Sequence, residues 1–117
     1  RKVFRELSPA ARIAVICFND DAAAGTLHAA RDAEHDQNLL LVGQGADRRL
    51  RAEMRNPSTP VVGTTAFRPE DYGRYLITLA LDILSEKRVP PAVYMEHYFV
   101  SPQNVDSYYP PELEYPV

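Results

Sequence analysis

Three short apolar runs, at residues 13–18, 39–42 and 61–65, alternate with segments whose apolar residues recur at helical spacing. Runs of this length that are apolar almost throughout are typical of strands buried on both faces of a sheet. A fourth strand is predicted over 94–100. Because strands that alternate with helices usually pair in parallel, the pattern predicts an α/β fold with a doubly wound, mostly parallel sheet.

The first connecting helix is predicted to begin at Asn19 or Asp20, since both residue types are good N-caps, and to run to about residue 34. Asp21 also suits the capped end of this helix. Gly25 would allow close approach to a neighbouring element. The inward face is expected to carry small and apolar side chains, namely Ala23, Leu27 and Ala30.

A short Arg-rich helix is predicted over 47–55 and a longer one over 69–87. Pro69 suits the first turn of the longer helix, and the acidic residues after it suit its positive end. Apolar residues recur along this segment at helical spacing, which predicts a wide apolar face.

Composition narrows the function classes. The chain has 117 residues and a formal net charge of -3, so it lacks the basic footprint expected of a nucleic-acid-binding domain. The single cysteine, Cys17, excludes an internal disulfide and lies in an apolar run, where a structural role is favoured. The three histidines show no metal-ligand spacing. We therefore expect no metal and no cofactor.

Two catalytic or cofactor-binding alternatives are weak. The acidic pair Asp20-Asp21 after a first strand could hold Mg²⁺ for phosphoryl transfer, but the two lysines, Lys2 and Lys87, follow no strand. The sequence GQGADR after the second strand opens like a dinucleotide fingerprint but carries Arg48 at the third glycine position. We interpret Gly43 and Gly45 as turn formers and expect no enzymatic activity.

The tyrosines of the C-terminal part leave two interpretations open. They could form a stacking platform for a sugar, or they could anchor a terminal strand and tail to the core, which is the commoner role. The tyrosines concerned are Tyr94, Tyr98, Tyr108, Tyr109 and Tyr115.

The loops that follow the three parallel strands are the expected ligand site. In open parallel sheets, ligands bind at the carboxyl ends of the strands. The loops are Asn19-Asp20-Asp21, Gln44-Gly45-Ala46 and Thr65-Ala66-Phe67-Arg68. Since they follow strands of one sheet, they should lie along one edge.

The segments AVICFNDDAAAG, LLLVGQGA, TTAFRPEDYGRYLITLALDIL and VPPAVYMEHYFVSPQNVDSYYP, in this order, resemble the C-terminal part of a type 1 periplasmic binding protein. That family includes sugar-binding proteins of ABC transporters and effector domains of lactose-repressor-like regulators. The resemblance covers nearly the whole chain. It implies two α/β lobes with the ligand between them, of which this chain is a fragment.

The resemblance also implies a division of the chain and a set of site residues. Residues 1–66 would belong to the C-terminal lobe. Residues 67–117 would form a hinge crossover, a helix and a strand normally shared with the N-terminal lobe, and a C-terminal tail. Asn19 matches the asparagine that binds a sugar hydroxyl in the family, with Asp20 beside it. Gln44 is the nearest substitute for the Asp or Asn expected at Gly45, and Phe67 stands where sugar binders often have Gln.

The function that the resemblance implies is binding of a small hydroxylated molecule, a sugar, for delivery to an ABC permease, in the periplasm or outside the cell. The alternative is the ligand-sensing domain of a cytoplasmic transcription regulator, in which this fragment would make no direct contact with nucleic acid. The apolar face of the helix over 69–87 would lack its usual partner lobe. We therefore expect self-association, including a domain-swapped dimer.

Overall fold

A computed structural model describes residues 2–8 and 12–111. The four strands and the three helices between them occur in the order predicted from the sequence, and a short C-terminal helix was not predicted. The elements are α1 (Lys2–Glu6), β1 (Ile13–Ile16), α2 (Asp20–Arg31), a 3-10 turn (Asp36–Asn38), β2 (Leu39–Gly45), α3 (Arg48–Met54), β3 (Val61–Ala66), α4 (Pro69–Leu84), β4 (Tyr98–Val100) and α5 (Val105–Tyr108).

The four strands of the described chain form one sheet in the order β1-β2-β3-β4. The first three are parallel, and the register pairs Ile16 with Val42 and Gln44 with Thr65. The short β4 runs antiparallel to β3. The predicted α/β class with a mostly parallel sheet is confirmed, and the carboxyl ends of the three parallel strands lie at the same edge.

The core lies between the sheet and the helices α2 and α3. The predicted inward face of α2 is confirmed, because Ala23, Leu27 and Ala30 are all buried. The strands contribute alternate residues to the same core, as expected when side chains point to opposite faces of a sheet. The largest fully buried side chains are Leu41, Leu50, Met54, Val61, Val100, Val105 and Thr64.

The prediction that the strands are buried on both faces is wrong for β1 and for β2. Burial alternates along both, and Ile16 is 81% exposed. Right-handed crossovers that move one strand at a time in the same direction place successive helices on the same side of a sheet. Among the described residues, the opposite face therefore carries no helix and leaves Ile16, Leu40 and Val62 exposed.

Helix α2 ends at Arg31, three residues before the predicted end. Glu34 adopts a left-handed conformation with φ 57°, and the His35 N–H donates to the Ala30 carbonyl at 2.9 Å. This reversal closes the helix in the manner of a Schellman motif. The prediction that Gly25 allows close approach is also wrong, because Gly25 is exposed and a Cβ there would meet nothing within 4 Å.

Helix α4 ends at Leu84 rather than at residue 87, and it buries none of its residues. The predicted wide apolar face is present and exposed, and Leu84 is 79% exposed. The described chain is correspondingly elongated, with principal extents of 62 × 32 × 23 Å. Strand β4 is shorter than predicted, beginning at Tyr98 rather than at residue 94. No helix in the described ranges has the length and apolar character needed to cross a bilayer.

The segment after β4 is attached to the core through α5. Val105 is buried. The Arg55 guanidinium donates to Asp106 at 2.8 Å and to the Tyr109 carbonyl at 2.7 Å. The Arg51 guanidinium lies 4.1 Å from the centre of the Tyr109 ring. The anchoring role is thus confirmed for Tyr109, whereas Tyr94 is 90% exposed. Tyr115 lies outside the described residues.

Candidate functional site

The three predicted loops meet at the carboxyl edge of the sheet. The Cys17 N–H donates to the Val42 carbonyl at 2.8 Å, so the loop after β1 starts beside the middle of β2, whose last residue is Gly45. Gln44 pairs with Thr65, which places the end of β2 beside the end of β3. The structure therefore brings the segments that carry Asn19, Gln44 and Phe67 to one edge, as expected for parallel strands.

Asn19 is the N-cap of α2. Its backbone is extended, and its side-chain Oδ1 accepts a hydrogen bond from the Ala22 N–H at 2.8 Å. This is the interaction that makes Asn a favourable N-cap. The side chain is half-buried, and Oδ1 is committed to the cap. The side-chain amide nitrogen of Asn19 remains as a hydrogen-bond donor at the carboxyl edge of the sheet.

Asp20 follows the cap but turns toward the next loop. Its Oδ2 accepts a hydrogen bond from the Asp47 N–H at 2.6 Å, and its Oδ1 accepts one from the Thr64 hydroxyl at 2.8 Å. Asp20 is only 3% exposed. A buried carboxylate with a protein donor on each oxygen favours a structural role over direct contact with a ligand.

Asp21 does not cap α2. It lies in the first turn, exposed, and forms an ion pair with Arg49 of α3. Arg49 also pairs with Asp47 at 2.8 Å. The hydrogen bond to Asp21, and to a smaller extent the hydrogen bond to Asp47, raises the pKa of the Arg49 guanidinium. Asp21 and Arg49 are exposed, so solvent screens their ion pair.

Gln44 is exposed at the end of β2, on the sheet face opposite the helices. The next two residues have unusual backbone conformations, with φ 133° at Gly45 and φ 57° at Ala46. Gly45 is the last residue of β2, and its positive φ, which favours glycine, supports its interpretation as the residue at which the chain turns out of the strand. Asp47 then caps α3 by accepting the Leu50 N–H at 2.8 Å.

Phe67 lies just beyond β3 and is half-buried. Its ring packs against the His97 ring in a T-shaped arrangement, with 4.9 Å between the ring centres. Phe67 lines a cleft of about 300 Å³ between the β3–α4 connection and the segment before β4. Asn19 and Gln44 do not line this cleft. The structure thus brings the three predicted residues to one edge, without enclosing them in that cleft.

The rim of this cleft is polar on one side. Arg68, in a left-handed conformation with φ 51°, pairs with Asp71 at 3.0 Å. The Tyr98 hydroxyl donates to Glu96 at 2.7 Å, and this hydrogen bond is the main reason that the pKa of Tyr98 is raised. The rim therefore offers guanidinium and carboxylate groups beside the Phe67 ring, a combination able to stack on and hydrogen-bond a polar ligand.

Two residues at the edge have roles that the sequence did not reveal, Thr64 and Gly43. Thr64 is fully buried and links the Asp20 carboxylate to the Ala46 N–H, which donates to the Thr64 hydroxyl at 3.3 Å. A threonine inside an apolar strand was the only local signal. Gly43 belongs to β2 rather than to a turn, and its missing side chain leaves room for the Asp20 carboxylate.

The described residues contain no group of three or more His, Cys, Asp or Glu side chains arranged to hold a metal ion. Cys17 is buried with its Sγ 3.6 Å from the Thr26 hydroxyl. His28 is exposed on α2 and lies 3.8 Å from Asp32. Neither of these interactions involves a residue of the edge loops.

Comparison with solved structures shows that this chain has the fold of part of a periplasmic solute-binding protein. The chain superposes on an ABC transporter periplasmic solute binding protein from Actinobacillus succinogenes 130z with bound D-allose, with a TM-score of 0.73 and 18% identity over 81% of this chain and 33% of that chain. It also superposes on GanP, a glucose-galactose binding protein from Geobacillus stearothermophilus, with a TM-score of 0.69 and 15% identity over 78% of this chain and 32% of that chain.

No family model and no curated protein matches the chain. The chain spans about a third of the length of the two solute-binding proteins. At this level of identity the likeness establishes the fold. The chain therefore has the fold of part of a type 1 periplasmic binding protein, as the resemblance implied.

Proposed function

We propose that this chain is part of a two-lobed solute-binding protein that takes a small hydroxylated ligand, a sugar, and delivers it to an ABC permease. The observation that carries the proposal is the fold shared with proteins that bind D-allose and glucose or galactose. The protein would act in the periplasm or outside the cell and would release its ligand chemically unchanged. Both neighbours are solute-binding proteins, which favours transport over the sensing role of a transcription regulator.

The exposure of α4 supports a division of the chain between two lobes. Residues 1–66 hold β1, β2 and β3 with the two helices that pack on them, and in the proposal they form part of one lobe. Residues 67–117 hold the crossover and α4, which buries none of its residues in the described chain. We assign α4 and the segment before β4 to the other lobe, where the apolar face of α4 would be covered.

The proposed ligand contacts are Asn19, Gln44 and Phe67. The Asn19 amide nitrogen would donate to a sugar hydroxyl while Oδ1 keeps the cap on α2. Gln44 is exposed at the end of β2 and offers both a donor and an acceptor. The Phe67 ring offers an apolar face to the C–H side of a sugar ring. Asp20 is too buried to be a primary contact, and its role is taken up below.

The test is calorimetric titration of the full-length protein that contains this chain with D-allose, D-glucose and D-galactose. Glycine serves as a small polar control without hydroxyl groups. We expect saturable binding of at least one sugar, no binding of glycine, and recovery of the sugar unchanged after prolonged incubation. Absence of binding for every sugar would contradict the proposed ligand class, and conversion of the sugar would contradict a pure binding function.

A further inference from the structure

The loop between β2 and α3 is held in a conformation that its own sequence does not favour. Gly45 has φ 133° and Ala46 has φ 57°. A left-handed conformation is unfavourable for a residue with a Cβ, so Ala46 needs support from the surrounding structure. Only Gly45, the last residue of β2, separates this loop from Gln44, one of the proposed ligand contacts.

The support comes from the first residue of α2 and from β3. From the β1 side, Asp20 accepts the Asp47 N–H at 2.6 Å, and from β3, the Thr64 hydroxyl accepts the Ala46 N–H at 3.3 Å. The Thr64 hydroxyl in turn donates to the Asp20 carboxylate at 2.8 Å. The two consecutive loop amides are therefore bound by two side chains that are themselves joined.

The two side chains are shielded from water. Asp20 is 3% exposed and Thr64 is 0% exposed. Gly43 makes room for the carboxylate, because a Cβ at that position would overlap Oδ1 of Asp20. Hydrogen bonds to a carboxylate are stronger than those between neutral groups, and a dry environment strengthens them further. This arrangement is a rigid support for a strained loop.

We propose that Asp20 and Thr64 are positioning residues that set the β2–α3 loop, and with it Gln44, in the geometry required for ligand binding, without touching the ligand themselves. The proposal rests on the proposed sugar-binding function. It also explains why an acidic residue follows the cap at Asn19, since the Asp20 carboxylate joins the first strand-end loop to the second loop and to β3. A role confined to capping α2 is already filled by Asn19.

The test uses Thr64→Val in the full-length protein, because valine keeps the shape of threonine and removes the hydroxyl. We expect amide hydrogen exchange at Ala46 and Asp47 to be about tenfold faster, as for the loss of one hydrogen bond. Sugar affinity, measured at a temperature where circular dichroism shows the variant folded, should fall by a similar factor, and the ratio of affinities for different sugars should change. Asp20→Asn should likewise speed amide exchange at Ala46 and Asp47, lower sugar affinity and change the ratio of affinities for different sugars.

Two matched variants separate positioning from general stability. Thr64→Ser keeps the hydroxyl and should restore both slow exchange and affinity. Thr78→Val makes the same change on α4, where the hydroxyl donates to the Arg74 carbonyl at 2.9 Å, and should leave both readouts at wild-type values.

The outcomes distinguish this proposal from the proposed function. If the wild type binds sugar and both Thr64→Val and Asp20→Asn bind it with full affinity, the positioning role is overturned. The proposed function is unaffected by that outcome. A wild-type protein that binds no sugar would overturn the proposed function and the ligand part of this proposal with it. Unchanged exchange at Ala46 and Asp47 in the folded Thr64→Val variant would overturn the loop support itself.

Discussion

Gly43 on β2 lies directly against the carboxylate of Asp20, so close that a Cβ on Gly43 would overlap the carboxylate oxygen Oδ1. Leu50 of α3 closes the same space, with its Cδ2 2.8 Å from the position of that Cβ. The sequence suggested that Gly43 forms a turn, and that interpretation is wrong. Gly43 lies inside a strand, and its lack of a side chain leaves space for the buried carboxylate of Asp20.

This relationship predicts opposite effects for two glycine substitutions. Gly43→Ala should lower the free energy of unfolding by roughly 1–3 kcal/mol, the usual effect of overpacking a core. Gly25→Ala should raise it by roughly 0.5–1 kcal/mol, because Gly25 is inside a helix and a Cβ there would meet nothing within 4 Å. Urea denaturation of both variants measures the difference. Equal stabilities would contradict the tight fit at Gly43.

Asn19 has two separable roles, which two substitutions distinguish. Asn19→Ala removes the cap and the amide donor, so it should destabilise folding by about 1 kcal/mol and weaken sugar binding by roughly 1–3 kcal/mol. Asn19→Ser keeps a capping oxygen for the Ala22 N–H and removes only the amide donor. It should keep the melting temperature and lose affinity. Unchanged affinity in both variants, measured by calorimetry on the full-length protein, would show that Asn19 is a cap alone.

Stability at high pH should depend on Tyr109. Burial raises its pKa above the ordinary value of 10.0, with a further increase from Glu70 and an opposing effect of Arg51. Below pH 10 the folded and unfolded chains both keep the phenol proton, whereas above it the unfolded chain loses that proton first. The free energy of unfolding should therefore fall as pH rises from 10 through the folded pKa.

Denaturation at a series of pH values checks this expectation. Tyr109→Phe should reduce the fall at high pH but not abolish it, since the pKa of Tyr98 is also raised. Tyr94→Phe changes a ring that is 90% exposed and should behave as the wild type does. A Tyr109→Phe variant with the full wild-type pH dependence would show that Tyr109 does not contribute.

The exposed face of α4 should make the 117-residue chain self-associate when it is produced alone. Leu81 and its apolar neighbours on α4 are exposed, and contiguous apolar surface of this kind favours association. Leu81→Glu should reduce association in sedimentation experiments at tens of micromolar, an order of magnitude suited to modest interfaces. Thr78→Glu introduces the same charge at an exposed polar position of α4 and should have a smaller effect. A wild-type chain that sediments as a monomer would contradict the prediction.

Much of the fold was determined by local sequence signals. The alternation of apolar runs with helical periodicity predicted the four strands and the helices α2, α3 and α4, and the residue types predicted an N-cap at Asn19 or Asp20, which the structure places at Asn19. Such features depend on residues a few positions apart, so they can be inferred without knowing the tertiary structure. The ligand contacts proposed for Gln44 and Phe67 remain predictions.

Tertiary structure alone decided the role of Asp20 and the exposure of the sheet. The partners of the Asp20 carboxylate, Asp47 and Thr64, lie 27 and 44 residues further along the chain, and no local pattern connects them. The exposed face of β1 and β2 follows from the side on which both crossover helices pack. An apolar run indicates that a strand is suited to burial. Only the arrangement of neighbouring elements determines which face of the strand is covered.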